Sequence, residues 1–314
     1  TLALDHDAAA LPAAIAARLG AVPLHWQIVC RGVDARKRSE IKLVYSIDVT
    51  PAEAPPEHPK TVTAPEMRYR FVAQAPENFA DRPVVVGTGP CGIFAALLLA
   101  QMGFRPIILE RGQKVRQRTK DTWGLWRRNI LKPESNVQYG EGGAGTFSDG
   151  KLYSQIRDPL LHGRKVLTEF VKAGAPEEIL WVAKPHIGTF RLVSMVERMR
   201  AEIEALGGEY RFGTRMEEVL LGAERQVVGL RLSDGTTLPA RHVVLALGHS
   251  ARDSFAMLHA AGVAMEAKPL SIGVRIEHPQ AIIDAARYGH AAGSPILGAA
   301  DYKLVHHAAN GRSV

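Results

Sequence analysis

Three glycines and one acidic residue are spaced in a way that could hold a nucleotide. Gly87, Gly89 and Gly92 follow a run of three valines, and Glu110 follows a second apolar run, Ile-Ile-Leu. In this spacing the first glycine allows a tight turn, the second lets the backbone approach a pyrophosphate, and the third lets a helix pack closely on a strand. The acidic residue is placed to accept hydrogen bonds from a ribose diol. Together the four residues predict a dinucleotide-binding unit.

The residues that complete the turn extend this prediction. A helix that begins at Pro90 directs unpaired N–H groups and the positive end of its dipole at a pyrophosphate, so Pro90 and Cys91 are candidate contacts. Arg111 directly follows the ribose acid and is a further candidate. Two other interpretations exist, a βαβ unit without ligand and a membrane span over the uncharged window 83–104. The four glycines and two prolines of that window indicate strand, turn and helix instead.

A second glycine-rich stretch lies at residues 140–150, where five of eleven residues are glycine. Such a density excludes the interior of a stable helix or strand, and it suits a backbone pressed against a flat or anionic ligand. Two hydroxyl groups and one lysine within or beside the stretch add polar contacts. A flexible surface loop is the alternative, but interleaved apolar residues argue against it. The candidate contacts from this stretch are Gly142, Gly143, Ala144, Gly145, Thr146 and Lys151.

Candidates for proton transfer and metal binding are few. His186 and His249 are conceivable proton donors because imidazole titrates near neutral pH, although a structural role is the commoner one for such histidines. The twelve histidines are scattered along the chain, so we expect no metal site.

The overall composition restricts the class of protein and its compartment. Of 314 residues, 46% are hydrophobic and 23% are charged, which is ordinary for a soluble globular protein. The net charge of +7 suits phosphate-bearing cofactors, acidic substrates or nucleic acid. Only two cysteines, Cys30 and Cys91, are present, which argues against a disulfide framework and an iron–sulfur site. We therefore expect a cytoplasmic protein.

The elements that position these residues begin with a small α+β module at residues 1–75. A helix is predicted at 8–19, half-buried strands at 26–30 and 41–49, and a third strand at 68–72. The basic connection between the first two strands could contact nucleic acid. Because no aromatic stacking platform accompanies its charges, a solvated hairpin tip is favoured and a nucleic-acid partner is not expected.

The chain then passes through a linker into an α/β pattern. Five prolines between residues 51 and 65 predict a stiff, extended connection. After the glycine-rich stretch, the sequence predicts a helix around 192–203, a strand at 209–212 and a hairpin turning at Asp234-Gly235. A buried strand then runs into Gly248, which is the last candidate cofactor contact.

With these motifs the chain resembles the two-dinucleotide-binding-domain flavoproteins and, within them, the NAD(P)/FAD-dependent oxidoreductases, also called FAD-dependent dehydrogenases. One departure is that Ala246-Leu247-Gly248 replaces the usual Ala-Thr-Gly, which removes a hydroxyl group but keeps the glycine. The resemblance rests on the turn 87–92, the pair Glu110-Arg111, the stretch 136–152, and the segments 185–189 and 268–279.

The resemblance implies an α/β fold with three parts. These are the α+β module at 1–75, a Rossmann-like FAD-binding domain with a β-meander at 76–264, and the start of a substrate domain at 265–314. Because the 46 residues after Lys268 are too few to close a second domain, we expect an incomplete substrate domain and a fragment of a longer enzyme.

The resemblance also implies hydride transfer through noncovalent FAD on a small-molecule substrate that the sequence does not identify. NAD(P)H would then act as a transient electron donor, because no second glycine fingerprint is present. Two alternatives remain open: an NAD-dependent dehydrogenase built on the same unit, and a non-catalytic RNA-associated or regulatory module with a vestigial nucleotide fold. The oligomeric state does not follow from the residues.

Overall fold

The computed structural model divides the chain into two compact units. The first comprises Thr1–Glu66, Leu180–Ala183 and Lys268–Val314, and the second comprises Met67–Ile179 and Lys184–Ala267. The structure describes residues 1–53, 61–148, 150, 152, 158–270, 272–274, 276–302 and 305–311. Lys151 and residues 54–60 of the proline-rich linker therefore lie outside the described residues. The predicted boundaries at 75 and 264 stay predictions.

The described residues form strands and helices throughout both units. The strands are β1 (Leu2–Ala3), β2 (His25–Asp34), β3 (Lys42–Thr50), β4 (Val84–Val86), β5 (Ile107–Glu110), β6 (Glu209–Phe212), β7 (Met216–Leu221), β8 (Val227–Leu232), β9 (Thr237–Pro239) and β10 (Val243–Leu245). The α-helices are α1 (Ala10–Leu19), α2 (Pro90–Gln101), α3 (Val115–Arg128), α4 (His162–Lys172), α5 (Thr189–Ala205), α6 (Arg252–Ala260) and α7 (Gln280–Tyr288).

The first unit contains an antiparallel sheet with the strand order β1-β3-β2. The long hairpin of β2 and β3 has a bulge between Ile28 and Cys30, where the register shifts. A small core of Ala35, Ile41, Tyr288 and Ala300 belongs to the same unit. The helix and the two strands predicted from the sequence are therefore present, with β2 extending further than the pattern indicated.

The third strand predicted at 68–72 is wrong. The position beside β3 is taken by the two-residue strand β1, which pairs Leu2 with Leu43. Tyr69 instead packs edge-on against Phe71 at a ring distance of 5.4 Å, in the second unit. Alternation of large residues is shared by strands and by extended segments that pack on one side only, so the pattern did not separate the two.

A four-stranded parallel sheet organises the second unit, with the order β10-β4-β5-β6. Its strands are almost entirely apolar because both faces are covered. Val85 and Ile108 point to the face covered by α2 and α5. Their neighbours Val84 and Leu109 point to the other face, which packs against Leu230 and other residues of the antiparallel sheet β7-β8-β9.

This helix–sheet–meander arrangement confirms the predicted α/β, Rossmann-like class. The uncharged window 83–104 folds as β4, a turn and α2, and α2 spans twelve residues. Among the residues that the structure describes, no helix combines the length and the apolar character needed to cross a membrane.

Candidate cofactor-binding site

A cleft of about 150 Å³ opens at the carboxyl ends of β10, β4 and β5. Strand β4 lies between β5 on one side and β10 on the other, and it is parallel to both. In parallel α/β sheets, ligands bind in the crevice at such a switch point, because the loops diverge there. The walls come from the glycine turn 86–90, the end of β5, residues 214–216 between β6 and the start of β7, part of the glycine-rich stretch, and residues 246–251.

The glycine turn has the close contacts that its spacing predicts. Gly87 has a φ of +102°, and a Cβ there would collide with the carbonyl oxygen of Ala246, just beyond β10. A Cβ at Gly92 would collide with the carbonyl oxygen of Gly87 and come within 3.3 Å of the Ala246 methyl group. Both positions therefore require glycine for reasons internal to the fold. Helix α2 consequently begins directly under the turn.

Gly89 differs from its two neighbours, because the protein leaves space beside it. Its φ is −67°, which any residue adopts, and an added Cβ would meet nothing closer than the Gly143 Cα at 3.9 Å. Gly143, with a φ of +60°, comes from the glycine-rich stretch, and a Cβ there would lie 3.0 Å from the Gly89 Cα. The turn and the stretch thus meet backbone to backbone at the cleft, and Gly142 N donates to Thr88 O over 2.8 Å.

Glu110 ends β5 in the cleft, but its carboxylate is already occupied by protein donors. Oε2 accepts hydrogen bonds from the backbone N–H of Thr88 (2.9 Å) and from the Thr88 hydroxyl. Oε1 accepts from Gly112 N at 2.7 Å and from Gly140 N at 3.0 Å. These four bonds fill the acceptor capacity of a carboxylate. Glu110 therefore joins three loops around the cleft, a role that its spacing did not indicate, and its contact with a ribose stays a prediction.

Arg111 lines the cleft and is held by two carboxylates and one ring. It donates to Glu134 at 2.6 and 3.1 Å and to Asp253 of α6 at 2.9 and 3.0 Å. Its guanidinium lies 4.0 Å from the centroid of the Tyr139 ring. Although burial opposes the charge, the hydrogen bonds to Glu134 and Asp253 raise the pKa of Arg111. The planar guanidinium of Arg111 is thus held in one position, with its positive charge, in the wall of the cleft.

The glycine-rich stretch is only partly a ligand surface. Gly140, Gly143 and Ala144 line the cleft, whereas Gly142, Gly145 and Thr146 do not. A Cβ at Gly142 would collide with the Thr146 methyl group, so that glycine serves internal packing. Thr146 is buried, and its hydroxyl donates to Gly143 O at 3.1 Å. Lys151 lies outside the described residues, and its predicted contact stays a prediction.

Arg118 is a residue of this region that the sequence reasoning missed. It is completely buried and contacts the glycine-rich stretch from below. Desolvation lowers the pKa of Arg118 to about 10. Helical spacing is the signal that could have found it, since Arg118 lies three residues after Val115 and four before Thr122, both buried on the inner face of α3.

Glu141 is the second buried charge that the sequence reasoning missed. Its carboxylate accepts from the backbone N–H of Val115 at 2.7 Å, at the start of α3, and forms an ion pair with Arg200 of α5 at 2.7 Å. Burial raises the pKa of Glu141 against the opposing effect of these two donors. The acidic side chain caps a helix N-terminus and joins the stretch to two helices.

The remaining candidates are divided between the cleft and its surroundings. Gly248, with a φ of +71° and no atom near its missing Cβ, lines the cleft together with His249. Cys91 is exposed and His186 is exposed, and neither is among the described residues that line the cleft. Tyr139 ties the two sides together, because its hydroxyl donates to Ser250 O at 2.7 Å.

Comparison with known proteins identifies the cofactor class. Residues 147–269 match the family model of flavin-containing amine oxidoreductases, and residues 269–314 match that of the C-terminal domain of FAD-dependent proteins. An uncharacterised protein of Clostridium beijerinckii is 43% identical over 286 residues, which cover 89% of this chain and 52% of that protein. The chain therefore spans about half the length of the curated relative it matches.

Two solved structures show weaker similarity. The THI4 protein of Thermovibrio ammonificans is 20% identical with a TM-score of 0.39, over 59% of this chain and 64% of that one. Glycine oxidase of Bacillus cereus is 14% identical with a TM-score of 0.38, over 57% of this chain and 58% of that one. Likeness at this level says nothing about function. Residues 147–314 are thus similar to FAD-dependent oxidoreductases, as the motifs predicted, and the family models indicate FAD as the cofactor.

Proposed function

We propose that the protein is an oxidoreductase that binds FAD noncovalently in the cleft at the carboxyl ends of β10, β4 and β5. One observation carries the proposal: Gly89 lies at the N-terminus of the twelve-residue helix α2, with open space where its side chain would be. A backbone exposed in this way, beneath the positive end of a helix dipole, is suited to a pyrophosphate.

The residues present fit the dinucleotide. Among the described residues that line the cleft, the charged side chains are Glu110, Arg111 and Arg215, so two positive charges stand against one negative charge, which accepts four hydrogen bonds from protein donors. The surplus is positive, as an anionic diphosphate requires. The Gly89 and Gly143 backbones would flank the diphosphate, Arg111 would face the adenosine end, and the backbone at Gly248 would border the opposite wall.

Bound FAD would supply the chemistry of hydride transfer, and the protein would supply orientation and a polarised environment. NAD(P)H is proposed as a transient electron donor that binds next to the flavin and does not use a separate NAD(P)-binding domain. The substrate is proposed to be a small molecule. Of the two candidate proton donors, His249 is the one that lines the cleft, and its Nε2 lies 3.2 Å from the Ser250 hydroxyl.

The test is the visible spectrum of the purified chain before and after addition of FAD, followed by anaerobic addition of NADH or NADPH. We expect a flavin spectrum that bleaches with one of the two nucleotides. A colourless protein that takes up no FAD but binds NADH would instead support the NAD-dependent dehydrogenase.

A substitution sharpens this test. Gly89→Val should fold normally, because the backbone conformation is ordinary and the described atom nearest to an added Cβ, the Gly143 Cα, lies 3.9 Å away. Its isopropyl group would occupy the space proposed for the pyrophosphate, so we expect no FAD uptake at an unchanged melting temperature. Gly32→Val is the matched control, because Gly32 also has open space around it but lies in β2 of the first unit. Normal FAD uptake by Gly89→Val would overturn the placement of the pyrophosphate.

A further inference from the structure

The guanidinium of Arg118 contacts one short segment of chain at five points. Four of its hydrogen bonds go to backbone carbonyl oxygens, and the fifth goes to the Thr146 hydroxyl at 2.9 Å. The carbonyl acceptors are Asn136 O (2.8 Å), Val137 O (2.7 Å), Glu141 O (2.8 Å) and Gly143 O (2.7 Å). All five acceptors lie within residues 136–146, which we call the glycine loop.

Other contacts adapt the glycine loop to this one side chain. A Cβ at Gly140, where φ is +117°, would collide with the Cδ of Arg118, so the side chain passes through space that only glycine leaves open. The guanidinium also lies 4.8 Å from the centroid of the Phe147 ring. Arg118 therefore contacts the loop from its first residue to the short helical turn that ends it.

Arg118 does not itself line the cleft, whereas Gly140, Gly143 and Ala144 of the same loop do. The carbonyl oxygens of Glu141 and Gly143 are bonded to the buried guanidinium, so they are not available to face the cleft. A carbonyl oxygen turned into the cleft would repel an anionic diphosphate. Any effect of Arg118 on a ligand must therefore act through the orientation of these peptide groups.

We propose that Arg118 is a positioning residue of the dinucleotide site, which holds the carbonyl oxygens of the glycine loop away from the cleft and the loop against the turn at Gly89. This inference rests on the proposed FAD function for the identity of the ligand. The statement that Arg118 holds the glycine loop in place does not depend on that function. A buried cation that bonds several carbonyls of one loop fixes the loop more firmly than neutral packing, since each bond is charge-assisted. Lysine cannot reproduce the arrangement, because it has three donors on one atom instead of a planar fork.

The experiment compares Arg118→Lys and Arg118→Met with Arg116→Met in the full 314-residue chain. Arg116 is the matched control, because it lies on the same helix but is mostly exposed and pairs with Glu197 at 2.7 Å. FAD affinity is measured by quenching of FAD fluorescence, and exchange of the glycine-loop amides is measured by mass spectrometry without FAD. We expect both Arg118 variants to bind FAD about 100-fold more weakly, as misplaced binding groups do. Faster amide exchange should be confined to the glycine loop.

A rescue arm separates positioning from general stability. Arg118→Ala leaves a cavity beneath the loop, and millimolar methylguanidinium should restore both the slow exchange and the FAD affinity, whereas methylammonium should not. If the Ala and Met variants fail to fold, the Lys variant decides by the same two measurements. Unchanged affinity and exchange in the Lys variant, or equal losses in Arg116→Met, would overturn the proposal.

Failure of the FAD function is distinguishable from failure of this inference. If the wild-type chain takes up no FAD, the proposed function is wrong, yet the exchange measurement still reports whether Arg118 holds the loop. If the wild-type chain binds FAD and all Arg118 variants bind it equally well, the function stands and the positioning role is wrong.

Discussion

Glu110 links the end of β5 to two other loops through four hydrogen bonds, so its carboxylate contributes to the apo fold as well as to any ligand contact. A residue that served only a ribose would leave the stability of the ligand-free protein unchanged when altered. One that completes a buried network would not, because its donors would lose their acceptor in a region without water. The two roles therefore make different predictions for the same substitution.

We expect Glu110→Gln to lower the free energy of unfolding by about 1–3 kcal/mol without FAD, since one oxygen is replaced by an NH₂ group that faces N–H donors. Urea denaturation of the apo protein measures the change. Glu218→Gln is the control, because Glu218 forms an exposed ion pair with Arg231 and should change stability by less than about 1 kcal/mol. Equal stability of Glu110→Gln and wild type would contradict the network role.

A buried hydroxyl gives a second expectation at this scale. Among the described residues, none forms a hydrogen bond with the OH of Tyr210 in β6, and burial raises the pKa of this phenol. Removing an unsatisfied buried polar group is favourable. Tyr210→Phe should raise the free energy of unfolding by about 1 kcal/mol, measured as a shift of the urea midpoint at unchanged slope. A clear loss of stability would show that the hydroxyl has a bound partner such as a water molecule.

Sequence reasoning succeeded for residues whose role is set by near neighbours in the chain. Gly92 follows from local spacing, because a Cβ there would collide with the carbonyl oxygen of Gly87 in the adjoining turn. Arg118 and Glu141 were missed because burial of a charge depends on hydrogen-bond partners 18 to 59 positions away, which no local pattern contains. Arginine side chains are mostly exposed in folded proteins, and Arg118 is an exception.

At the scale of elements, Arg111 connects three pieces of structure that meet at the cleft. It extends from the end of β5, and its partners Glu134 and Asp253 lie before the glycine loop and in the first turn of α6. The hydrogen bonds from Arg111 lower the pKa of Glu134 and the pKa of Asp253. Because both folded-state values lie below the unfolded ones, the linkage stabilises the fold at pH values above the usual carboxyl range.

This stabilisation should disappear as the pH falls below about 4, where the two carboxyl groups become protonated. The measurement is the melting temperature between pH 7 and pH 3, for the wild type and for a Glu134→Gln/Asp253→Asn double variant. The variant should already be less stable at pH 7 and should lose less on acidification. Parallel curves for the two proteins would show that the Arg111 linkage does not contribute to acid sensitivity.

The predicted elements were correct where periodicity extends over several residues, as in α5 and in the hairpin of β8 and β9. They were wrong at 68–72, where a short extended segment packs on one side without pairing. The strand β1 was not predicted, because two residues carry no period. Its place beside β3 depends on a pairing across 41 positions, between Leu2 and Leu43.

At the scale of the whole molecule, each unit combines segments that are far apart in the chain. Lys268–Val314 and Leu180–Ala183 belong to the same unit as Thr1–Glu66. The residues on both sides of Leu180–Ala183 in the chain belong to the second unit. The prediction of three consecutive parts does not contain this exchange of segments, because contacts between distant segments leave no local pattern in the sequence. The class of fold was nonetheless predictable, since alternating apolar strands and helices have few stable arrangements.

The parallel pairing of β10 with β4 has a consequence for how the site is assembled. Val84 pairs with Val243, and the next two residues of each strand follow in the same register. When the glycine turn has been synthesised, the cleft still lacks the wall formed by residues 246–251, which are synthesised much later. Contacts of such long sequence separation form slowly, since the intervening loop must close first. We therefore expect the cleft to form only after β10 has been synthesised, and the edge of β4 that pairs with β10 to stay unpaired until then.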